Sequence, residues 1–145
     1  MADKLVSEER KPLETKTVIG IRFADTDMHG HVNNANIATY FEIGRDAIIR
    51  ESHAISSVEG RSFVLAHYDV RFLKEIKFPG SVDVISTITR VGKSSIGIGQ
   101  VLYQENTICA QSGSTIVYFN TDLRRSEHLP DWMTTLLKAG VPDVE

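Results

Sequence analysis

"RFADTDMHGHVNN", residues 22–34, sets two aspartates, two histidines, a glycine and two asparagines between an apolar run, Val18–Ile21, and a segment of helical periodicity. A strand before it, a helix after it and turn chemistry between them decide the plan of the chain. Asn33 stands where a helix N-cap is expected, because an Asn side chain accepts a hydrogen bond from a first-turn amide. The density of ionisable groups exceeds what a connection needs, which makes the junction a candidate site as well as a corner.

Working outward, "TVIGIRFA" (17–24) predicts a first strand with Thr17, Ile19, Ile21 and Phe23 on one side. Residues 1–14, mixed in charge and closed by Pro12, are expected to be a flexible leader, and residues 15–145 a single domain. Beyond the junction a helix is expected from Asn33 or Asn34 to about Glu51. Ile37, Phe41, Ile48 and Ile49 follow its spacing, and Tyr40, Ile43 and Ala47 add apolar groups on other sides. A helix apolar on most sides is buried on most sides. Gly44 costs about 1 kcal/mol against Ala in mid-helix, so it predicts a close approach, to a sheet above all.

After "SHAISSVEGR" the pattern turns strand-like. "FVLAHYDVRFL" (63–73) predicts Val64, Ala66, Tyr68, Val70 and Phe72 on one face; "VDVISTITRV" (82–91), "SIGIGQVLYQ" (95–104) and "ICAQSGSTIVYFN" (108–120) follow. Gly92-Lys93-Ser94 and Glu105-Asn106-Thr107 are too short for parallel crossovers, so these strands pair antiparallel. "LPDWMTTLLKAG" closes the chain as a short helix, Pro130 in its first turn and Gly140 just past its end. The class is α+β: an antiparallel sheet with one long helix on one face.

Composition bounds the function. The 145 residues suit one domain with its own core. A net charge of -3 argues against nucleic acid or an anionic membrane as main partner. The single cysteine, Cys109, excludes an intramolecular disulfide and fits a reducing compartment. No apolar run approaches the ~20 residues that span a bilayer, and the charged start shows no signal peptide. These features predict a cytoplasmic, soluble protein.

Three readings of Asp25, Asp27, His29 and His31 stand side by side. They form a polar loop with Asx-type turns, or part of a metal site, although none of the short metal-binding spacings is present, or a hydrolytic site. In the last, a carboxylate is nucleophile or general base and unpaired amides at the helix start hold an oxyanion. Gly30 permits close backbone approach there. Gly92-Lys93-Ser94 is not a phosphate loop, since Thr87 falls where its first glycine would stand and a strand follows. Cys109 reads as core, and His53, His67 and His128 carry no motif.

"RFADTDMHGHVNNANIATYFEIGRD", residues 22–46, resembles the signature region of the hot-dog thioesterases of the 4-hydroxybenzoyl-CoA thioesterase-like group, and through "DTD…HVNN" that of the plant acyl-ACP thioesterases. The resemblance implies a hot-dog fold, a five-stranded antiparallel sheet wrapped around one long central helix. It implies an acyl-CoA thioesterase acting without metal or cofactor, with acyl-carrier protein as an alternative thiol carrier. Asp27 matches the catalytic aspartate of the first group. Asp27, His29 and His31 match the Asp, Asn and His of the second; His29 stands where those enzymes carry Asn, and Ile37 where many members carry Tyr. Asp25 is expected to bond turn amides. His31 and Asn34 are candidates to orient water or the thioester, His29 and Ile37 to contact substrate, and Gly30 with the amides of His31 to Asn33 to form the oxyanion hole. Glu42 is either a second carboxylate or, three residues before Arg45, half of an ion pair. The family places basic residues of the Gly92–Ser94 turn on CoA phosphates, which nominates Arg90 and Lys93. It also implies a homodimer joined sheet to sheet, or a dimer of such dimers. The rivals are a non-catalytic acyl-CoA or acyl-carrier-protein sensor and a hot-dog dehydratase.

Overall fold

The computed structural model describes residues 13–52 and 59–140; residues 1–12 of the expected leader, His53 and the last five residues fall outside this range, while Leu13 and Glu14, expected in the leader, belong to the fold, Leu13 packed on the core and Glu14 in the first strand. β1 (Glu14–Gly20) leads through one 3-10 turn (Phe23–Asp25) into α1 (Asn34–Glu51). β2 (Arg61–Phe72), β3 (Ser81–Val91), β4 (Ser95–Gln104), β5 (Thr107–Asn120), β6 (Arg125–Ser126) and α2 (Asp131–Lys138) follow. The strands form one sheet in the order β1-β3-β4-β5-β2, every pair antiparallel, with β6 on β5. The α+β architecture is the expected hot-dog one, an antiparallel sheet curved around a long helix. It has six strands instead of five: β6 has two residues, too few to show a period-two pattern, and follows a turn with Arg124 at φ 52°.

Two other boundaries moved for local reasons. β1 ends at Gly20, not at Ala24, because Asp25 accepts from the Arg22 amide at 3.0 Å and draws the chain into the 3-10 turn. Phe23 therefore leaves the strand face, is 78% exposed, and packs edge-on against Phe78. In β2 the register slips between Leu65 and His67. A bulge of this kind reverses the alternation. Phe63 and Leu65 lie opposite Tyr118 and Ile116, while Tyr68, Val70 and Phe72 lie opposite Ser114, Ser112 and Ala110. Directly opposed residues share a face, so Val64 points away from Tyr68, contrary to the unbroken alternation.

Helix α1 begins where its sequence says. Asn33 is the N-cap, its side-chain oxygen accepting from the Ala35 amide at 2.9 Å. Gly44 faces the sheet: a Cβ there would meet Val84 Cγ1 at 2.6 Å and Gln100 Nε2 at 2.8 Å. Below this contact a buried polar row crosses the strands, Thr15 opposite Ser86, Ser86 opposite Gln100, Gln100 opposite Ser112. Gln100 Nε2 donates to the Phe41 carbonyl (2.8 Å) and to Ser86 Oγ (3.0 Å). The row divides the core. Phe41, Val84 and Leu102 belong to one apolar cluster at the N-terminal half of α1; Ile48, Ile88 and Ile98 belong to the other, which α2 closes with Met133 and Leu137.

β1 and β2 are the outer strands, each bonded to one neighbour. α1 lies over β1, β3 and β4, so the helix-facing side of β2 is open, with Leu65, Tyr68 and Phe72 exposed. Among the described residues no helix is long and apolar enough to cross a membrane.

Candidate functional site

The junction folds into a tight loop anchored on both sides. Thr26 bridges Val32, and His31 bridges Lys77. The Asp27 amide donates to the His31 carbonyl at 2.8 Å and the Gly30 amide to the Asp27 carbonyl at 3.2 Å. Gly30 sits at φ 77°, a conformation that suits glycine.

Asp25 fixes this loop to the helix. It is 2% exposed, and its carboxylate accepts from Arg22 Nη2 at 2.9 Å, Arg22 Nε at 3.2 Å and the Tyr40 hydroxyl at 2.7 Å. Its carbonyl accepts from the Asn33 amide at 2.8 Å and Asn36 Nδ2 at 3.0 Å. The Tyr40 and Arg22 hydrogen bonds hold the Asp25 carboxyl below its ordinary value, and burial, with the bond to Asp25 next, pushes the Tyr40 phenol up. Asp25 thus fills the structural role expected of it, though Tyr40 and Arg22 side chains matter as much as turn amides.

Asp27 is the other kind of aspartate. One oxygen, Oδ1, accepts from the His29 amide at 2.8 Å and the His31 amide at 3.2 Å. Backbone donation, from His29 first, lowers its pKa, so the group is a carboxylate at neutral pH. No hydrogen bond within the described protein engages Oδ2. Asp27, His31, Asn34 and Ile37 line one cleft of about 320 Å³ at the N-terminus of α1, with Phe72, Leu73, Lys74 and Glu75 as the facing wall. His31 Nε2 lies 3.1 Å from Glu75 Oε2.

The amides nominated for an oxyanion hole are engaged inside the loop. Those of Gly30 and His31 bond Asp27, that of Val32 bonds the Ile76 carbonyl, and that of Asn33 bonds the Asp25 carbonyl. Asn34, first in the helix, lines the cleft, and its amide has no acceptor among the described residues, as the opening of an α-helix leaves it.

The remaining expected residues lie apart. His29 is exposed and outside this cleft. Glu42 lines a second cleft, of about 300 Å³, between α1 and the β2–β5 strands. It makes no ion pair with Arg45 within 4.0 Å, so the expected helical pair is not formed. Arg90 and Lys93 are at the far end of β3, whose eleven residues run away from the junction, on the order of 30 Å by strand rise. Lys74 and Glu75 were not singled out from sequence. Their only signal is two lysines and a glutamate, Lys74, Glu75 and Lys77, between a strand end and Pro79-Gly80. Among the described residues no three His, Cys, Asp or Glu side chains converge on a metal-sized point.

Comparison with known proteins adds the family. A predicted thioesterase from Bacillus stearothermophilus superposes with a TM-score of 0.81 at 30% identity, covering 91% of this chain and 99% of that one. DHNA-CoA thioesterase from Staphylococcus aureus superposes with a TM-score of 0.77 at 20% identity over 87% of each chain, a likeness that shows the fold alone. The uncharacterized protein YsmA of Bacillus subtilis (strain 168) is 27% identical over 78 residues, 54% of this chain and 53% of the relative, so the match spans about half of that protein's length. The model of the thioesterase-like superfamily matches residues 21–137, from the end of β1 into α2, and the chain belongs to that family.

Proposed function

We propose that the protein is a hydrolase of acyl-CoA thioesters, converting R–CO–S–CoA and water to a carboxylic acid and CoA. One observation carries this reading: an ionised carboxylate, Asp27, and an unengaged helix-initial amide, that of Asn34, open on the same cleft. Asp27 Oδ2 attacks the thioester carbonyl or takes a proton from the attacking water; by either route negative charge develops on the carbonyl oxygen. The Asn34 N–H at the positive end of α1 receives that charge. His31, facing Glu75, orients water, and Ile37 and Phe72 hold the start of the acyl group. The CoA thiolate leaves and is protonated from solvent; where Asp27 is the nucleophile, water then hydrolyses the aspartyl anhydride, which releases the acid and frees the carboxylate.

The family membership and the structural likeness to the DHNA-CoA thioesterase of Staphylococcus aureus support a CoA thioester over other esters. The free edge of β2, with Leu65, Tyr68 and Phe72 uncovered beside it, supports a homodimer joined through that strand, its active sites near the subunit contact. The acidic net charge and buried lone cysteine support a cytoplasmic setting.

Thiol release measured over acyl-CoAs of varied length and aromaticity, with acyl-pantetheine and acyl-carrier protein alongside, tests the reading. Turnover of at least one acyl-CoA is expected. Binding of acyl-CoA without thiol release would assign a sensor instead, and preference for the carrier protein would move the enzyme to acyl-ACP chemistry. As Asp27 works ionised, its rate is expected to fall only as pH drops below the ordinary aspartate value of ~3.9.

A further inference from the structure

We propose that the second cleft reads a carboxylate at the far end of the acyl group, through Arg45, which makes ω-carboxyacyl thioesters the preferred substrate class. The inference rests on the thioesterase reading above and adds the substrate to it.

Arg45 is 9% exposed, and its guanidinium Nη1 is buried without a hydrogen-bond partner. Among the described residues no carboxylate lies within 4.0 Å of it. Asp46, on the same cleft, is already met by Arg50 at 2.7 Å, and Glu42 stands exposed at the rim. The guanidinium instead lies over the Tyr68 ring, 5.7 Å from its centroid. A cation–π contact recovers part of the desolvation of a buried guanidinium and leaves the Nη1 donors unsatisfied. Burial lowers the Arg45 pKa, opposed by the charge of Glu42 at the rim, and an arginine stays protonated in proteins. A buried, charged fork with a free donor fits a planar carboxylate.

The surroundings repeat the theme. The buried polar row under α1 ends toward β2 at Ser112, and Ser112 Oγ is also buried without a partner. Within the second cleft Phe63, Leu65 and Ile49 form an apolar wall beside Arg45. Ile37, in the Asp27 cleft, and Arg45 share α1, about 12 Å apart along its axis at the helical rise. Between them the helix-facing side of β2 presents Tyr68 and Phe72, both exposed, over the small residues Ala110, Ser112 and Ser114 of β5. On this proposal a straight acyl chain runs from the thioester carbonyl at Asp27 along that face of β2, from the cleft Phe72 lines to the cleft Leu65 lines, and its far end meets Arg45.

The test compares matched acyl-CoA pairs, adipyl against hexanoyl and sebacyl against decanoyl, by kcat/KM. Wild type is expected to favour a carboxylate-ended member by at least about tenfold, mainly through KM, as a charge-assisted hydrogen bond allows. Arg45→Gln is expected to bring that ratio near one, and Arg45→Lys to keep part of it. An active wild type with no preference in either pair would overturn the proposal and leave the thioesterase reading standing. If wild type hydrolyses none of the four, the thioesterase reading fails, and calorimetric affinities for the same pairs decide: Arg45-dependent tighter binding of a carboxylate-ended member upholds the carboxylate site, equal binding overturns it. Should Arg45→Gln not fold, the wild-type ratio and the Lys variant decide. An Arg45→Gln protein that keeps the ratio while sedimenting as a smaller species would overturn the proposal and give Arg45 to the subunit contact.

Discussion

Replacing Tyr40 by phenylalanine removes one oxygen from the centre of the junction. That oxygen donates to Asp25 Oδ2 at 2.7 Å, and both residues are buried. In its absence Oδ2 keeps the Arg22 amide at 3.0 Å, and Oδ1 keeps Arg22 Nε and Nη2. The carboxylate stays charged with one donor fewer, and a hydrogen bond to a charged group contributes about 1.5–3 kcal/mol. For a domain of this length each kcal/mol moves Tm by about 2–4 °C, so Tyr40→Phe is expected to lower Tm by about 3–12 °C at pH 7. The sign with pH follows from Asp25. Its folded pKa is depressed, by the Tyr40 bond first and Arg22 next, so its contribution is fully present above the unfolded value of ~3.9 and is lost as pH falls through the lower folded value. The gap between wild type and variant, followed by circular dichroism melts from pH 7 downward, should shrink below pH ~4. Melts that coincide at pH 7, or a gap that widens on acidification, would refute the reasoning.

Gly44→Ala gains about 1 kcal/mol of helix propensity but drives a methyl into Val84, Gln100 and Ser86 at 2.6–3.0 Å, an overpacking that costs about 1–3 kcal/mol. A lower urea midpoint is expected; a raised one would mean the helix lifts freely from the sheet. Sedimentation at micromolar concentration is expected to give a dimer or a dimer of dimers, and a monomer would contradict the role given to the β2 edge. Lys74 is the lysine on the wall of the Asp27 cleft, which makes it the cation expected to meet the CoA phosphates: Lys74→Ala should raise KM for acyl-CoA several-fold with little change in kcat, an effect that weakens with salt and vanishes for acyl-pantetheine. The same pattern in Lys93→Ala alone would put the CoA phosphates on a neighbouring protomer's β3–β4 turn.

Much of the architecture is carried by short-range chemistry, and that part is legible. Asn33 caps α1, and Glu105 and Asn106, both at positive φ, turn the β4–β5 hairpin. Gly44 marks the approach of helix to sheet because nothing larger fits. What sequence patterns miss are single-residue events with long-range causes. The β2 bulge inverts a face without changing a hydrophobic count, and Phe23 leaves its strand because a carboxylate two residues on is held by Tyr40, fifteen residues from Asp25. At the site, the family resemblance nominated Asp27, His31, Asn34 and Ile37, and those four line one cleft. Which amide stays free could not be read, since the acceptors that engage Val32 and Asn33 are carbonyls of Ile76 and Asp25. The wall formed by Phe72 to Glu75 comes from the end of β2, so spacing along the chain says nothing of it.

Asp27→Asn asks the chemical question with the least structural disturbance. The amide oxygen still accepts from the His29 and His31 N–H groups that hold Oδ1 now, so the loop keeps its shape while the base or nucleophile is lost. Measured as thiol release from the best acyl-CoA, with melting temperature and CoA affinity as controls, the variant is expected to lose at least ~10²-fold in kcat and little else. Near-normal turnover by pure, folded Asp27→Asn protein would contradict the assignment and take the chemistry away from the α1 junction.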